Sequence, residues 1–246
     1  MSRYGYLDIE GPGIVAGETC RRFAYNFPMK FNYTDITIVL DRSGSMESVK
    51  DDTIGGVNQF LKSQQAVSGE ATFSLVQFDN VIEDIVWGVP LGVAQPLTSE
   101  TFVPRNNTAL FDAIGQTIDR VGERLAAMNE QERPHKVIFV IVTDGQENAS
   151  IQFTRHMIDR MIAHQRDLYA WQFLFLGANQ DAIATATSMS ISADSALTYS
   201  STPHGTHSAF GSLDASIGRY RGGADTRPNF TSVDRDTQRD IIEGES

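Results

Sequence analysis

Three apolar runs of strand length constrain this chain more than any other feature of its sequence. Residues 36–40, 137–143 and 169–176 are apolar almost throughout and rich in Val, Ile and Phe. Such runs are typical of parallel strands that are buried on both faces of a sheet. Each run is followed by a polar or glycine-containing loop and then by a helical pattern, which favours right-handed crossovers. We therefore predict a doubly wound, Rossmann-like α/β fold with a mostly parallel six-stranded sheet and helices on both faces.

The segment between the first two runs has a different pattern. Residues 72–78 and 81–87 are rich in strand-forming residues and are separated only by Asp79-Asn80. Two such runs joined by two turn-forming residues predict a tight β-hairpin. One strand of the sheet should therefore be antiparallel, and we expect it at the edge.

Helical spacing of apolar residues predicts the elements between the strands. The predicted helices cover residues 46–65, 110–125, 153–162, 180–189 and 206–220, and residues 197–200 form a short last strand. The first helix contains Gly55-Gly56, and each glycine costs about 1 kcal/mol relative to alanine. We expect this pair to allow close packing of the helix on the sheet.

The length and the local character of the sequence suggest one domain with short extensions. At 246 residues the chain fits a single large α/β domain. We assign residues 1–33, which lack clear periodicity, to an N-terminal extension and residues 34–222 to the domain. Residues 223–246 are polar and are predicted to be a tail that is peripheral to the fold.

The charge and the cysteine content exclude several classes of protein. A formal charge of −11 argues against nucleic acid as a partner, because phosphate binding needs a basic surface. An acidic surface accepts cations and basic partners, although it also serves solubility. The single cysteine, Cys20, excludes an internal disulfide. We recognise no secretory signal, and every apolar run is much shorter than the roughly 20 residues of a membrane span. We therefore expect a cytoplasmic protein, or a virion protein if the gene is phage-encoded.

Oxygen-bearing side chains follow the first apolar run directly. Asp41, Ser43 and Ser45 alternate in the segment 41–45, and ligands of open α/β sheets bind at the carboxyl ends of strands. Ligand sets made only of oxygen suit hard cations such as Mg²⁺, Ca²⁺ or Mn²⁺. Taken alone this pattern is weak, since Ser and Asp also cap helices and form turns.

Two further loops strengthen the prediction of a metal site. The second apolar run ends in Thr143-Asp144-Gly145, and Thr108 precedes the helical pattern of residues 110–125. Three separate loops thus offer oxygen atoms to one cation at the same edge of the sheet. Glu147 and Asn148 could line the rim of this site or cap the helix after residue 150. Asp112 could brace the loop of Thr108 or be a solvated helix position.

These residues resemble the metal-ion-dependent adhesion site (MIDAS) of von Willebrand factor A (VWA) domains. The matching positions are Asp41-x-Ser43-x-Ser45, the distant Thr108, and Asp144-Gly145. The resemblance extends over about residues 33–221 and is nearest to stand-alone bacterial and phage members, which share stretches such as 46–61, 108–114, 143–150 and 176–182. Asn106-Asn107 stands where bacterial members often have Gly before the Thr, so the shape of that loop should differ.

The resemblance implies a function for this set of residues. By this resemblance, the hydroxyls of Ser43, Ser45 and Thr108 would ligate a divalent cation (Mg²⁺, Mn²⁺ or Ca²⁺) directly. The two Asp carboxylates would act through water or hydrogen bonds. Neutral hydroxyls leave the charge of the cation poorly neutralised, so an acidic residue of a partner protein is attracted to an open position. We expect Arg42, Asn106, Asn107 and Glu147 to contact the residues around that acidic side chain.

Three functions remain open at this point. A metal-dependent protein-binding module without chemistry is the function we predict. A metal-dependent hydrolase or phosphoryl-transfer enzyme would need a base or nucleophile, yet no His lies beside the motif loops and neither a Gly-x-Ser-x-Gly elbow nor a P-loop is present. The third possibility is a structural or phage-assembly component in which the metal only stabilises the fold. His204-x-x-His207 is interpreted as a pair of ordinary surface residues.

Overall fold

A computed structural model of the chain describes residues 32–178 and 181–244. The strands are β1 (Tyr33–Asp41), β2 (Glu70–Phe78), β3 (Ile82–Pro90), β4 (Lys136–Thr143), β5 (Gln172–Ala178) and β6 (Ala196–Tyr199). The α-helices are α1 (Lys50–Ala66), α2 (Leu110–Ala126), α3 (Arg155–Tyr169), α4 (Ala182–Thr187), α5 (Pro203–Arg221) and α6 (Ser232–Gly244). Cys20 and nearly all of the predicted N-terminal extension lie outside the described residues.

The six strands form one sheet in the order β3-β2-β1-β4-β5-β6. All neighbouring strands are parallel except β2 and β3, which form the antiparallel hairpin at one edge. The predicted doubly wound sheet with one antiparallel edge strand is therefore confirmed. Because β1 and β4 are parallel neighbours, with Leu40 opposite Val142, the loops that follow them leave the sheet side by side.

Two apolar layers cover the sheet, one on each face. Alternate residues of β1 point to opposite faces, so Ile38 and Leu40 pack with α1 and α5, while Val39 packs with α2 and α3. Because helices cover both faces, the inner strands of the sheet can offer polar groups to a ligand through the loops at their two ends. No helix in the described ranges is long and apolar enough to cross a membrane.

The glycine pair of α1 serves packing against a helix and not against the sheet. A Cβ atom on Gly56 would lie 2.4 Å from the ring of Phe210 in α5. A Cβ atom on Gly55 would have no other atom within 4 Å. We had expected the pair to allow close packing on the sheet, and this expectation is wrong. The close approach is between α1 and α5, because the Phe210 ring occupies the space that a side chain at position 56 would fill.

The polar C-terminal segment is part of the folded domain. It contains α6, on which Gln238 and Ile241 are buried, and Phe230 just before the helix is buried as well. The amide of Gln238 donates a hydrogen bond to the carbonyl of Gly205 in α5 at 3.1 Å. The prediction of a peripheral tail was therefore wrong. The sequence gives little sign of the packed helix, because the buried face of α6 consists of few residues and one of them is polar.

Candidate metal centre

The loop after β1 is shaped by Asp41, whose side chain is fully buried. One carboxylate oxygen of Asp41 accepts the backbone N–H of Ser43 at 2.7 Å, and the other accepts the hydroxyl of Thr143 at 2.6 Å. A short 3₁₀-helix, Gly44–Val49, begins directly after Ser43. This turn brings the hydroxyl oxygens of Ser43 and Ser45 to within 3.1 Å of each other. Asp41 therefore fixes the loop and ties the end of β1 to the end of β4.

Thr108 and Asp144 join the two serines from separate loops. The Ser45 hydroxyl donates a hydrogen bond of 2.6 Å to the Asp144 carboxylate. A Cβ atom on Gly145 would lie 3.1 Å from the Thr108 hydroxyl oxygen and 3.8 Å from that of Ser45. The hydroxyls of Thr108 and Ser45 thus flank a space that a side chain at position 145 would occupy, and the Ser43 hydroxyl lies next to that of Ser45. The residues predicted for the site, Asp41, Ser43, Ser45, Thr108 and Asp144, are all brought together at the carboxyl edge of the sheet.

The two carboxylates of this cluster are held in a desolvated environment. Burial raises the pKa of Asp41 to about 6, although hydrogen bonds from Thr143 and Ser43 act in the opposite direction. Burial also raises the pKa of Asp144, while the Ser45 hydroxyl lowers it. The negative charge of Asp144 adds to the rise at Asp41. Two acidic groups in such a place are unfavourable together as anions, and a neighbouring cation would relieve that cost.

The loop after Asp144 is fastened to the loop of Thr108 by Asn148. The Asn148 side-chain oxygen accepts the backbone N–H of Thr108 at 2.9 Å, and the backbone N–H of Asn148 donates to the carbonyl of Thr108 at 3.1 Å. This reciprocal pair fixes Thr108 relative to Asp144. Asn148 therefore links the two loops and does not cap the helix after residue 150, which is one of the two roles that the sequence suggested.

Glu147 and Asp112 have structural roles next to the site. Glu147 accepts the backbone N–H of Phe111 at 2.9 Å and so caps the beginning of α2, not the helix after residue 150. Asp112 is buried and accepts the backbone N–H groups of residues 151–153 at 2.7–2.9 Å. Asp112 therefore braces the loop that follows Asp144, and not the loop of Thr108.

We had expected Arg42 to contact a partner at the rim of the site, but the structure buries it. Its side chain is 3% exposed, and its guanidinium donates to the Glu83 carboxylate at 2.7 Å. The hydrogen bond from Arg42 is the main reason why the pKa of Glu83 is lowered to about 2. Of the other residues expected at the rim, Asn106 and Asn107 are exposed, whereas Glu147 is engaged in the contacts described above.

The donor set of the cluster fits a hard divalent cation. Its side chains offer only oxygen atoms, which Mg²⁺, Ca²⁺ and Mn²⁺ prefer, and the absent side chain of Gly145 leaves room between Thr108 and Ser45. Within residues 32–178 and 181–244, no group of three or more His, Cys, Asp or Glu side chains could hold a metal, and the present cluster has only two carboxylates, so its remaining donors are hydroxyls. His204 and His207 are both exposed near the beginning of α5.

Comparison with known proteins identifies the fold. No family model matches the chain, and no curated protein matches it. Among solved structures, the pilus adhesin SpaC from Lactobacillus rhamnosus GG has a TM-score of 0.58 at 14% identity, covering 76% of this chain and 30% of that one. The vWF domain of the type V pili tip protein Mfa5 from Porphyromonas gingivalis has a TM-score of 0.51 at 11% identity, covering 75% of this chain and 94% of the domain.

A protein of the mussel byssus shows the same likeness. Proximal thread matrix protein 1 has a TM-score of 0.53 at 14% identity over 75% of this chain and 47% of its own, so this chain spans less than half of that protein. Another structure of the thread protein, with a TM-score of 0.53, 13% identity and coverage of 76% and 46%, has zinc in its MIDAS motif. At such low identity these likenesses establish the fold, and this chain has the fold of a VWA domain.

Proposed function

We propose that this chain is a metal-dependent protein-binding module. The hydroxyls of Ser43, Ser45 and Thr108 hold a divalent cation, Mg²⁺ or alternatively Mn²⁺ or Ca²⁺, with Asp41 and Asp144 bound to it through water or hydrogen bonds. The observation that carries the proposal is the grouping of three hydroxyls from two loops. Those of Thr108 and Ser45 flank the space next to Gly145, that of Ser43 lies 3.1 Å from that of Ser45, and the Ser45 hydroxyl bonds to the Asp144 carboxylate.

The chemistry of these ligands explains the choice of partner. Neutral hydroxyl ligands donate no full negative charge, so the cation keeps most of its own charge and an open coordination position attracts an anion. In a protein partner, the matching group is the carboxylate of an Asp or Glu. Without the cation, the two aspartates of the site would repel that carboxylate, so binding should depend on metal.

The comparisons support a binding role through the fold alone. A zinc-occupied MIDAS motif in the thread protein shows that this fold can hold a divalent metal at such a motif, and one of the other similar structures is a pilus adhesin. For an enzyme, a base or nucleophile with a suitable pKa would be required near the metal. The side chains that hydrogen-bond to the side chains of Asp41 and Ser45 in the described structure are those of Thr143, Ser43 and Asp144, so we propose binding without chemistry.

The first step of the test measures metal binding through thermal stability. Mg²⁺ at about a hundredfold excess over its Kd should stabilise the wild type by about 2.7 kcal/mol relative to EDTA. Thr108→Ala should lose most of this increment while still folding, because it removes one ligand from a loop. Thr187→Ala is the matched control, since Thr187 is exposed on α4 and its hydroxyl bonds only to carbonyls of its own helix. Equal melting of the wild type in Mg²⁺ and EDTA would contradict the metal site.

The second step tests the partner's chemistry with a displayed library of random peptides. Selection on the wild type in Mg²⁺ should enrich peptides that contain Asp or Glu, and EDTA should release them. Changing the acidic residue of an enriched peptide to Ala should abolish its binding. Binding that persists in EDTA, or enrichment without acidic residues, would refute the carboxylate mechanism. Stabilisation by Mg²⁺ without any selected peptide would leave the metal with a structural role only.

A further inference from the structure

Both chain neighbours of Thr108 are fastened to a turn that contains no metal ligand. The backbone N–H of Asn107 donates to the side-chain oxygen of Asn80 at 2.9 Å, and the backbone N–H of Ala109 donates to the carbonyl of Asp79 at 3.1 Å. Asp79 and Asn80 form the turn of the β2–β3 hairpin. The turn therefore holds the backbone on each side of the Thr108 hydroxyl.

The turn is itself held by buried charge. One oxygen of the Asp79 carboxylate accepts the backbone N–H of Val81 at 2.6 Å, which closes the turn, and the other accepts the Arg105 guanidinium at 2.7 Å. Arg105 also bonds Glu83 at 2.9 Å, and Glu83 bonds the buried Arg42. With Asp79 fully buried, this chain of ion pairs leaves the turn little freedom to shift.

The loop that carries the two serines is connected to the same structure. The backbone N–H of Arg42 donates to the carbonyl of Phe78 at 2.8 Å, and the carbonyl of Arg42 accepts the backbone N–H of Arg105 at 2.8 Å. The backbone N–H of Gly44 donates to the carbonyl of Asn106 at 3.2 Å. Asn106 has a left-handed φ of 59°, a conformation that Asn tolerates better than most residues. The loop of the two serines and the loop of Thr108 are thus set relative to each other, and to the hairpin turn, by main-chain hydrogen bonds.

We propose that Asp79-Asn80 is a positioning element that sets where the Thr108 hydroxyl stands relative to Ser43 and Ser45. The inference rests on the proposed metal site and goes beyond it, because it assigns the choice between cations to residues outside the ligand set. Mg²⁺ requires nearly ideal octahedral geometry at about 2.0–2.1 Å, whereas Ca²⁺ accepts flexible geometry at about 2.3–2.6 Å. A small displacement of Thr108 should therefore weaken Mg²⁺ binding more than Ca²⁺ binding.

The test compares Mg²⁺ and Ca²⁺ affinities of variants by isothermal titration calorimetry. Asn80 is exposed, so Asn80→Ala removes the acceptor for Asn107 with little effect on the core. We expect its Mg²⁺ affinity to fall at least about tenfold, as is typical when a group supporting a metal ligand is lost, and its Ca²⁺ affinity to fall less. In the metal-free protein, the amide of Asn107 should exchange its hydrogen faster. Asn129→Ala, at an exposed asparagine elsewhere, should change none of these quantities.

A rescue variant separates positioning from charge. Asn80→Asp keeps an acceptor oxygen, and its added charge attracts both cations, so its ratio of Mg²⁺ to Ca²⁺ affinity should stay near that of the wild type. An unchanged ratio in Asn80→Ala, or a shifted ratio in Asn80→Asp, would overturn the positioning role while the metal site stands. If the wild type binds neither cation, the metal site itself is wrong and the inference falls with it.

Discussion

Replacing Gly145 by Ala probes the proposed metal centre with a single methyl group. That methyl carbon would lie 3.1 Å from the Thr108 hydroxyl oxygen and 3.8 Å from that of Ser45. Favourable contacts between heavy atoms are about 3.5–4.0 Å long, so Thr108 would have to move by a few tenths of an ångström. The φ of Gly145 is not in the left-handed region, so Ala is compatible with the backbone and the fold should persist.

The magnitude follows from the tolerance of metal sites. Ligand distances are kept within about 0.2 Å, so the displacement of Thr108 should lower Mg²⁺ affinity at least tenfold, which is about 1.4 kcal/mol. At a Mg²⁺ concentration of a hundred times the wild-type Kd, the metal adds about 2.7 kcal/mol to the wild type but only about 1.4 kcal/mol to the variant. For a domain of this size, the difference corresponds to a Tm increment that is smaller by about 3–5 °C.

Scanning calorimetry in Mg²⁺ and in EDTA provides the assay, with Gly211→Ala as the matched control. Gly211 is exposed on α5, and no atom lies within 4 Å of a Cβ added there. The control should be about 0.5–1 kcal/mol more stable than the wild type in both buffers and keep the full Mg²⁺ increment. If Gly145→Ala also keeps the full increment, the hydroxyls of Thr108 and Ser45 do not share a cation.

Two further predictions concern stability. The Arg124→Met variant should lose about 3–5 kcal/mol of its free energy of unfolding, measured in urea, because the buried carboxylate of Asp35 then lacks the guanidinium that bonds both of its oxygens at 2.9 Å. Adding Asp35→Asn should recover part of the loss, and an unchanged stability of the single variant would contradict this prediction. Truncation after Gly223 should lower the Tm markedly, because burial of Phe230 and Ile241 contributes about 1.5–3 kcal/mol each; an unchanged Tm would show that α6 contributes nothing to the fold.

The sheet and the grouping of the site residues could be predicted because both follow from local patterns. Apolar runs of strand length indicate buried parallel strands, and parallel neighbours end at the same edge of a sheet. That rule alone places Asp41 at the end of β1 beside Thr143 at the end of β4, where the two side chains are hydrogen-bonded. The Asp79-Asn80 dipeptide indicated the hairpin for an equally local reason, the chemistry of its turn.

The supporting contacts could not be predicted because they join residues that are distant in the sequence. Nothing near Gly56 shows that Phe210 will pack on it, and nothing near Arg42 shows that Glu83 will bury its charge. Asn148 is a different case. It lies in the polar segment directly after the motif Asp, which could have indicated a loop held by side-chain hydrogen bonds.

The pairing of charges around the site bears on how the proposed module would select its partner. Arg42 and Arg105 are the cationic side chains of the loops that approach the site, and both bond to Glu83, with Arg105 also bonded to Asp79. Two positive charges are thus balanced by two negative ones, and exposed Asn106 contributes none. The attraction for a partner carboxylate would then come from the bound cation itself, against the negative charge of the aspartates behind it. A protein with this arrangement should bind its partner only when the metal is present, because these loops, as far as the structure describes them, offer no net positive charge to take its place.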